Sequence, residues 1–126
     1  MLPEPYRLHH HADFSRTVRR GQRIGRRDVV VHVLDRANDE PRPLVTVGGP
    51  RFGLIVSKAV GSAVVRHRVA RRLRHVCAEL RPGVAPDADV VIRALPGAAT
   101  ASSAELAGQV RAGLTKLTLL EPGGSR

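Results

Sequence analysis

The chain of 126 residues has no tryptophan, one tyrosine, two phenylalanines and a single cysteine, Cys77. One cysteine excludes a disulfide scaffold and points to a reducing compartment. No apolar h-region follows the start, so no signal peptide is read there. No apolar run approaches the roughly 18 residues that a membrane span needs. Docking on a membrane surface usually sets Trp, Phe or Leu opposite a basic face, and this chain has too few aromatics for that. Organised acidic chemistry is missing as well. The 11 Asp and Glu residues are scattered, with no paired carboxylates, no HExxH and no Cys/His cluster. His9, His10 and His11 are consecutive, so their side chains diverge, and they lack partners at ligand spacing; they read as a polar segment rather than a metal site.

What the chain does have is positive charge. Lys and Arg total 21, for a net +10, and only Lys58 and Lys116 are lysines. Residues 7–27 carry seven arginines against Asp13, a net +6. Residues 58–81 carry Lys58 and six arginines against Glu79, again +6. The remaining segments are close to neutral. A surface tuned for solubility would intersperse both signs. Clustered guanidinium, planar and permanently charged, suits phosphate oxygens instead. At 42% hydrophobic residues the chain is too apolar for a disordered basic tail.

The length fits one domain, with an irregular segment at 1–11 and a frayed tail at 121–126. Asp13 reads as the N-cap of a short helix to about Arg20, with Phe14 and Val18 on one face and Gly21 ending it. Residues 29–34 (VVVHVL), 44–47 (LVTV) and 51–57 (RFGLIVS) read as strands of a meander. Gly61 and Ser62 open a long helix, about 62–81, closed by Pro82–Gly83. Residues 87–94 form a fourth strand. Ser102 and Glu105 form a capping box that starts a last helix carrying Leu106, Val110, Leu114 and Leu117, with Gly108 and Gly113 weakening it. The order αβββαβα describes an α+β sandwich in which helices cover a four-stranded mixed sheet.

On the long helix, Val65, Val69, Leu73, Val76 and Leu80 share one side, flanked by Cys77. His67, Arg68, Arg71, Arg72, Arg74 and His75 occupy the other. Arg66 falls on the flank of the apolar stripe, in the first turn. There it either serves an anion-binding cleft beside the helix end or snorkels to water.

Residues 53–74, GLIVSKAVGSAVVRHRVARRLR, resemble the signature of the bacterial ribonuclease P protein component. That signature is a strand ending in Val-Ser-Lys, then Gly-Asn-Ala-Val-x-Arg-Asn-Arg, then a basic helix. Arg7–Leu8, Asp13–Phe14, Val18, Gly21 and the arginines to Arg27 resemble the family's N-terminal helix and its approach to the first strand. Two positions depart from the pattern: Ser62 and His67 stand where the family has Asn. Val18 stands where it often has a second aromatic. The resemblance implies a fold like the second domain of ribosomal protein S5, with a left-handed βαβ crossover that runs against the usual rule. It also implies a cytoplasmic ribonucleoprotein that removes the 5′ leader of precursor tRNA. In that enzyme the RNA subunit holds Mg2+ and does the chemistry, so the protein supplies no catalytic residue and is inactive alone. Its expected partners are the RNA subunit and precursor tRNA, with no membrane and no protein partner required. Under this resemblance Lys58, Arg68, Arg71, Arg72 and Arg74 would bind the RNA subunit. Phe14, Val18, Arg66 and His67 would form the leader cleft, with Phe14 either stacking a base or filling the core. The alternatives are a basic ribosomal or ribosome-assembly protein, or a self-sufficient nuclease using His32, His67 or Asp residues.

Overall fold

The computed structural model describes residues 7–8, 11–36 and 50–117. Helix α1 spans His11–Arg20, β1 Gln22–Gly25, β2 Val29–Asp35 and β3 Arg51–Ile55. Helix α2 spans Ala63–Leu80, β4 Ala88–Ala94 and α3 Ser103–Lys116. The expected strand at 44–47, the tail at 121–126 and His9–His10 lie outside the described residues.

The order αβββαβα stands, but its strands pair differently from a meander. The described sheet runs β1-β2-β4-β3. Pairing is antiparallel between β1 and β2 and between β2 and β4, and parallel between β3 and β4. Helix α2 carries the chain from β3 back to the parallel β4, which separates β3 from β2. The meander reading assumed that sequence neighbours pair, which holds for about two-thirds of cases. Strand β1 went unread, because QRIG has one large apolar residue and no alternation to betray it.

The register sorts side chains onto two faces. Val31 and Ile92 pair, as do Leu54 and Ile92. With Val29, Val33, Phe52 and Val90 they form the face covered by Val69, Leu73, Val76 and Leu80 of α2 and Leu106, Val110 and Leu114 of α3. The other face carries His32, Val91 and Gly53 in one row, and α1 packs over β2 and β4 there.

Helix ends follow the local chemistry. Ser62 Oγ accepts from the Val65 amide at 3.3 Å. The capping box of α3 is complete: the Glu105 amide donates to Ser102 Oγ at 3.0 Å, and the Ser102 amide to Glu105 Oε1 at 2.8 Å. Gly113 serves α3 rather than weakening it, since a Cβ there would stand 2.9 Å from Val31 Cγ2. Its absence lets α3 lie close on β2. Gln109 fastens the same helix to the β1–β2 turn, accepting from the Asp28 amide and donating to Asp28 Oδ2, both at 2.7 Å.

Asp89 is fully buried in β4. It accepts from Arg36 Nη1 and, in a two-pronged contact, from Arg51 Nε at 2.9 Å and Nη2 at 2.8 Å. Arg36 also donates to the carbonyls of Ala88 and Pro86. Burial works against the charged form of Arg51, yet Asp89, with Asp13 beyond it, raises its pKa above the usual arginine value. Removing the carboxylate takes away the buried counter-charge that Arg36 and Arg51 share, leaving the longer 3.5 Å contact of Arg51 with Asp13. Asp89→Ala is expected to cost about 3–5 kcal/mol in urea unfolding, and a loss below about 1 kcal/mol would contradict this role.

Candidate nucleic-acid interface

Helix α1 begins at His11, so Asp13 lies in its first turn and is not the N-cap. The Asp13 carboxylate instead reaches Arg51 at 3.5 Å and Arg16 at 3.9 Å. The helix has little apolar surface to bury. Its one fully buried residue is Thr17, whose Oγ1 donates to the Asp13 carbonyl at 2.9 Å. Its two large apolar side chains, Phe14 and Val18, stay half-buried. They line a groove of about 340 Å³ with His11, Ser15, Arg19 and Ile55. The Phe14 ring lies directly over Gly53, where a Cβ would collide with it. A glycine inside a strand marks such a close approach, and that was the one sequence signal for this contact.

The structure divides the residues expected on the outer face of α2. Arg71 is exposed and Arg68 half-buried, and neither guanidinium has a partner among the described residues. Arg72 is half-buried, and its Nη1 donates to the Ala101 carbonyl at 2.9 Å, so it ties α2 to the segment before α3. Arg74 lines a second cavity that has Phe14 as another wall. Lys58 is exposed in a 3-10 turn, Lys58–Val60, after β3. Arg66 Nε donates to the Gly61 carbonyl at 3.3 Å, and His67 is exposed. Neither Arg66 nor His67 lines the groove with Phe14 and Val18. Sequence reasoning missed Ile55 and Arg19 as groove residues, because the pairing of α1 with β3 is tertiary.

Among the described residues, no three His, Cys, Asp or Glu side chains gather as a metal-ligand set, and no helix is long and apolar enough to cross a membrane. A model of the Ribonuclease P family matches residues 2–118. The chain belongs to the ribonuclease P protein family. It is similar to the ribonuclease P protein component of Nocardia farcinica, at 70% identity over 100% of this chain and 88% of that protein. It is similar to that of Rhodococcus erythropolis, at 71% identity over 95% of this chain and 94% of that protein. In fold it is similar to the RNase P protein of Staphylococcus aureus, with a TM-score of 0.76, 22% identity and coverage of 92% of this chain and 98% of that one. The RNase P protein of Thermotoga maritima, solved with 1-(4-fluorophenyl)-2-thiourea, gives 0.70 at 17% identity, covering 91% of this chain and 100% of that one.

A ribonuclease P protein works in a ribonucleoprotein that matures the 5′ end of tRNA, binding the RNA subunit and precursor tRNA. The ribosomal-protein reading is not favoured.

Beneath α1, on the sheet face that carries Gly53, this ribonuclease P protein buries His32, which is 1% exposed. Neither ring nitrogen has a hydrogen-bond partner among the described residues. Burial first, then the charges of Arg93 and Arg23, hold its pKa below the ordinary histidine value. The unfolded chain therefore takes up a proton that the folded chain refuses. Stability is full above the unfolded pKa of about 6.5 and falls as pH drops through and below it. The melting temperature is expected to decline between about pH 7 and pH 5. His32→Leu should flatten that decline without loss at neutral pH; an equal decline in the variant would show that another group titrates.

Proposed function

We propose that this chain gives the ribonucleoprotein two separate RNA contacts. The groove of Phe14, Val18 and Ile55 takes the single-stranded 5′ leader. A base on the Phe14 ring would contribute roughly 1–3 kcal/mol, and the exposed Arg19 meets the backbone. Arg66 and His67, outside the groove lining, meet the strand as it leaves. The basic row of α2, led by Arg68 and Arg71 with Lys58 nearby, docks on phosphates of the RNA subunit and releases their counterions. Mg2+, a hard ion that keeps oxygen ligands and several waters, is held by the RNA subunit, where the phosphodiester is cut. Because mature tRNA has lost its leader, the groove favours substrate over product. The setting is the cytoplasm.

The observation that carries this reading is the disposition of α1. A helix that leaves its only two large apolar side chains in an open groove, with an arginine on the rim, offers a stacking surface rather than core. Two variants test it together. Phe14→Ala should weaken precursor binding by roughly 1–3 kcal/mol and leave mature-tRNA affinity unchanged. Arg68→Ala with Arg71→Ala should lower affinity for the RNA subunit and flatten its log–log salt slope by about 2. Equal losses on both tRNAs would contradict the leader groove, and an unchanged slope would contradict the docking face.

A further inference from the structure

Phe14 is also a wall of a second cavity, of about 230 Å³, at the outer edge of β3. Its apolar lining includes Phe14, Phe52 and Leu54, and α2 contributes Arg74 and Cys77. Arg7 joins from the short N-terminal segment that bridges to Phe52. No carboxylate is among the lining residues. Cys77 is buried, and burial pushes its thiol pKa up to about 12, so it stays neutral and adds no negative charge. The Arg74 guanidinium has no hydrogen-bond or ion-pair partner among the described residues.

This combination defines a ligand. Aromatic and aliphatic walls take a flat apolar body, and a cation at the rim takes an anion on the same molecule. Drug-sized sites run to roughly 300–1,000 Å³, so this smaller space suits one ring system. An aromatic base carrying a phosphate meets all three conditions. The position of Arg74 identifies its source. Arg68, Arg71 and Arg74 follow one another at three-residue spacing along α2, a row that runs from the docking face into the cavity. RNA lying on that face is led to the opening.

We propose that this cavity receives one unpaired nucleotide of the RNA subunit, with its base against Phe14 and Leu54 and its phosphate on Arg74. Arg7 adds positive charge at the same site. The inference rests on the docking reading of α2 given above. It also makes Phe14 a shared wall between the RNA subunit and the leader.

Leu54→Phe fills the cavity without altering charge, and Arg74→Gln removes the cation. With folding checked by circular dichroism, each should lower affinity for the RNA subunit about tenfold. The salt slope should fall by about one unit for Arg74→Gln and stay unchanged for Leu54→Phe. The ratio of precursor to mature-tRNA affinity in the saturated holoenzyme should hold. Wild-type affinity for the RNA subunit with a reduced precursor ratio would overturn the proposal and assign the cavity to the leader. Wild-type values for both would overturn any nucleotide site. Should Leu54→Phe fail to fold, the wild-type chain can be titrated by NMR with adenosine 5′-monophosphate and with inorganic phosphate. Shifts at Leu54 and Phe14 with the nucleotide alone support the cavity; equal shifts with both, or none, overturn it. If Arg68→Ala with Arg71→Ala weakens docking while the cavity variants do not, the cavity fails and the docking face survives. If neither weakens it, the docking reading itself fails.

Discussion

A carboxylate with no exposed surface, Asp89, sets the geometry on which the functional surfaces rest. It gathers Arg36 from the end of β2 and Arg51 from the start of β3 onto β4. Arg51 then extends to Asp13 of α1 at 3.5 Å. Burying a charge costs several kcal/mol unless it is paired and hydrogen-bonded, and removing one partner exposes that whole cost. The network therefore holds as a unit. It joins three strands and passes a cationic handle to a helix that has almost nothing apolar to bury.

That handle explains how α1 can be both attached and useful. A typical surface helix sinks its apolar stripe into the core. Here the stripe amounts to Phe14 and Val18, and attachment falls to the Asp13–Arg51 ion pair instead, with Thr17 the one fully buried residue of the helix. Its apolar side chains are left half-buried over Gly53 and Ile55, available to a ligand. Helix α2 divides its faces the other way, sinking Val69, Leu73 and Val76 into the core and leaving Arg68 and Arg71 without partners among the described residues. On the reading proposed above, the protein offers its ribonucleoprotein a gripping face on α2 and a stacking groove beside α1.

Helices α2 and α3 were legible because their signals are local. An apolar stripe at helical spacing, Ser62 before one helix and the Ser102/Glu105 box before the other fix their starts. The apolar runs of β2 and β4 were legible for the same reason, and the motif around Arg66 and Arg68 carried the family. Strand order was not legible, because the choice between β2 and β4 as the partner of β3 is made by α2 and α3 packing on the whole sheet. Asp89 did leave a trace, as an acid inside the apolar run of ADVVIRA, but its two arginines lie 53 and 38 residues away. The parting of Arg72 and Arg74 from the basic face was hidden too. A helical wheel places both opposite the core, yet Ala101 and the N-terminal segment come to meet them.

The central claim is that the Asp89–Arg51–Asp13 chain of ion pairs holds α1 where its groove reads the leader, independently of the docking face on α2. Precursor and mature-tRNA affinities of the Asp13→Ala holoenzyme test it most directly. The account predicts a reduced precursor preference, with the salt slope of RNA-subunit binding unchanged. A preserved preference combined with weaker binding of the RNA subunit would contradict it.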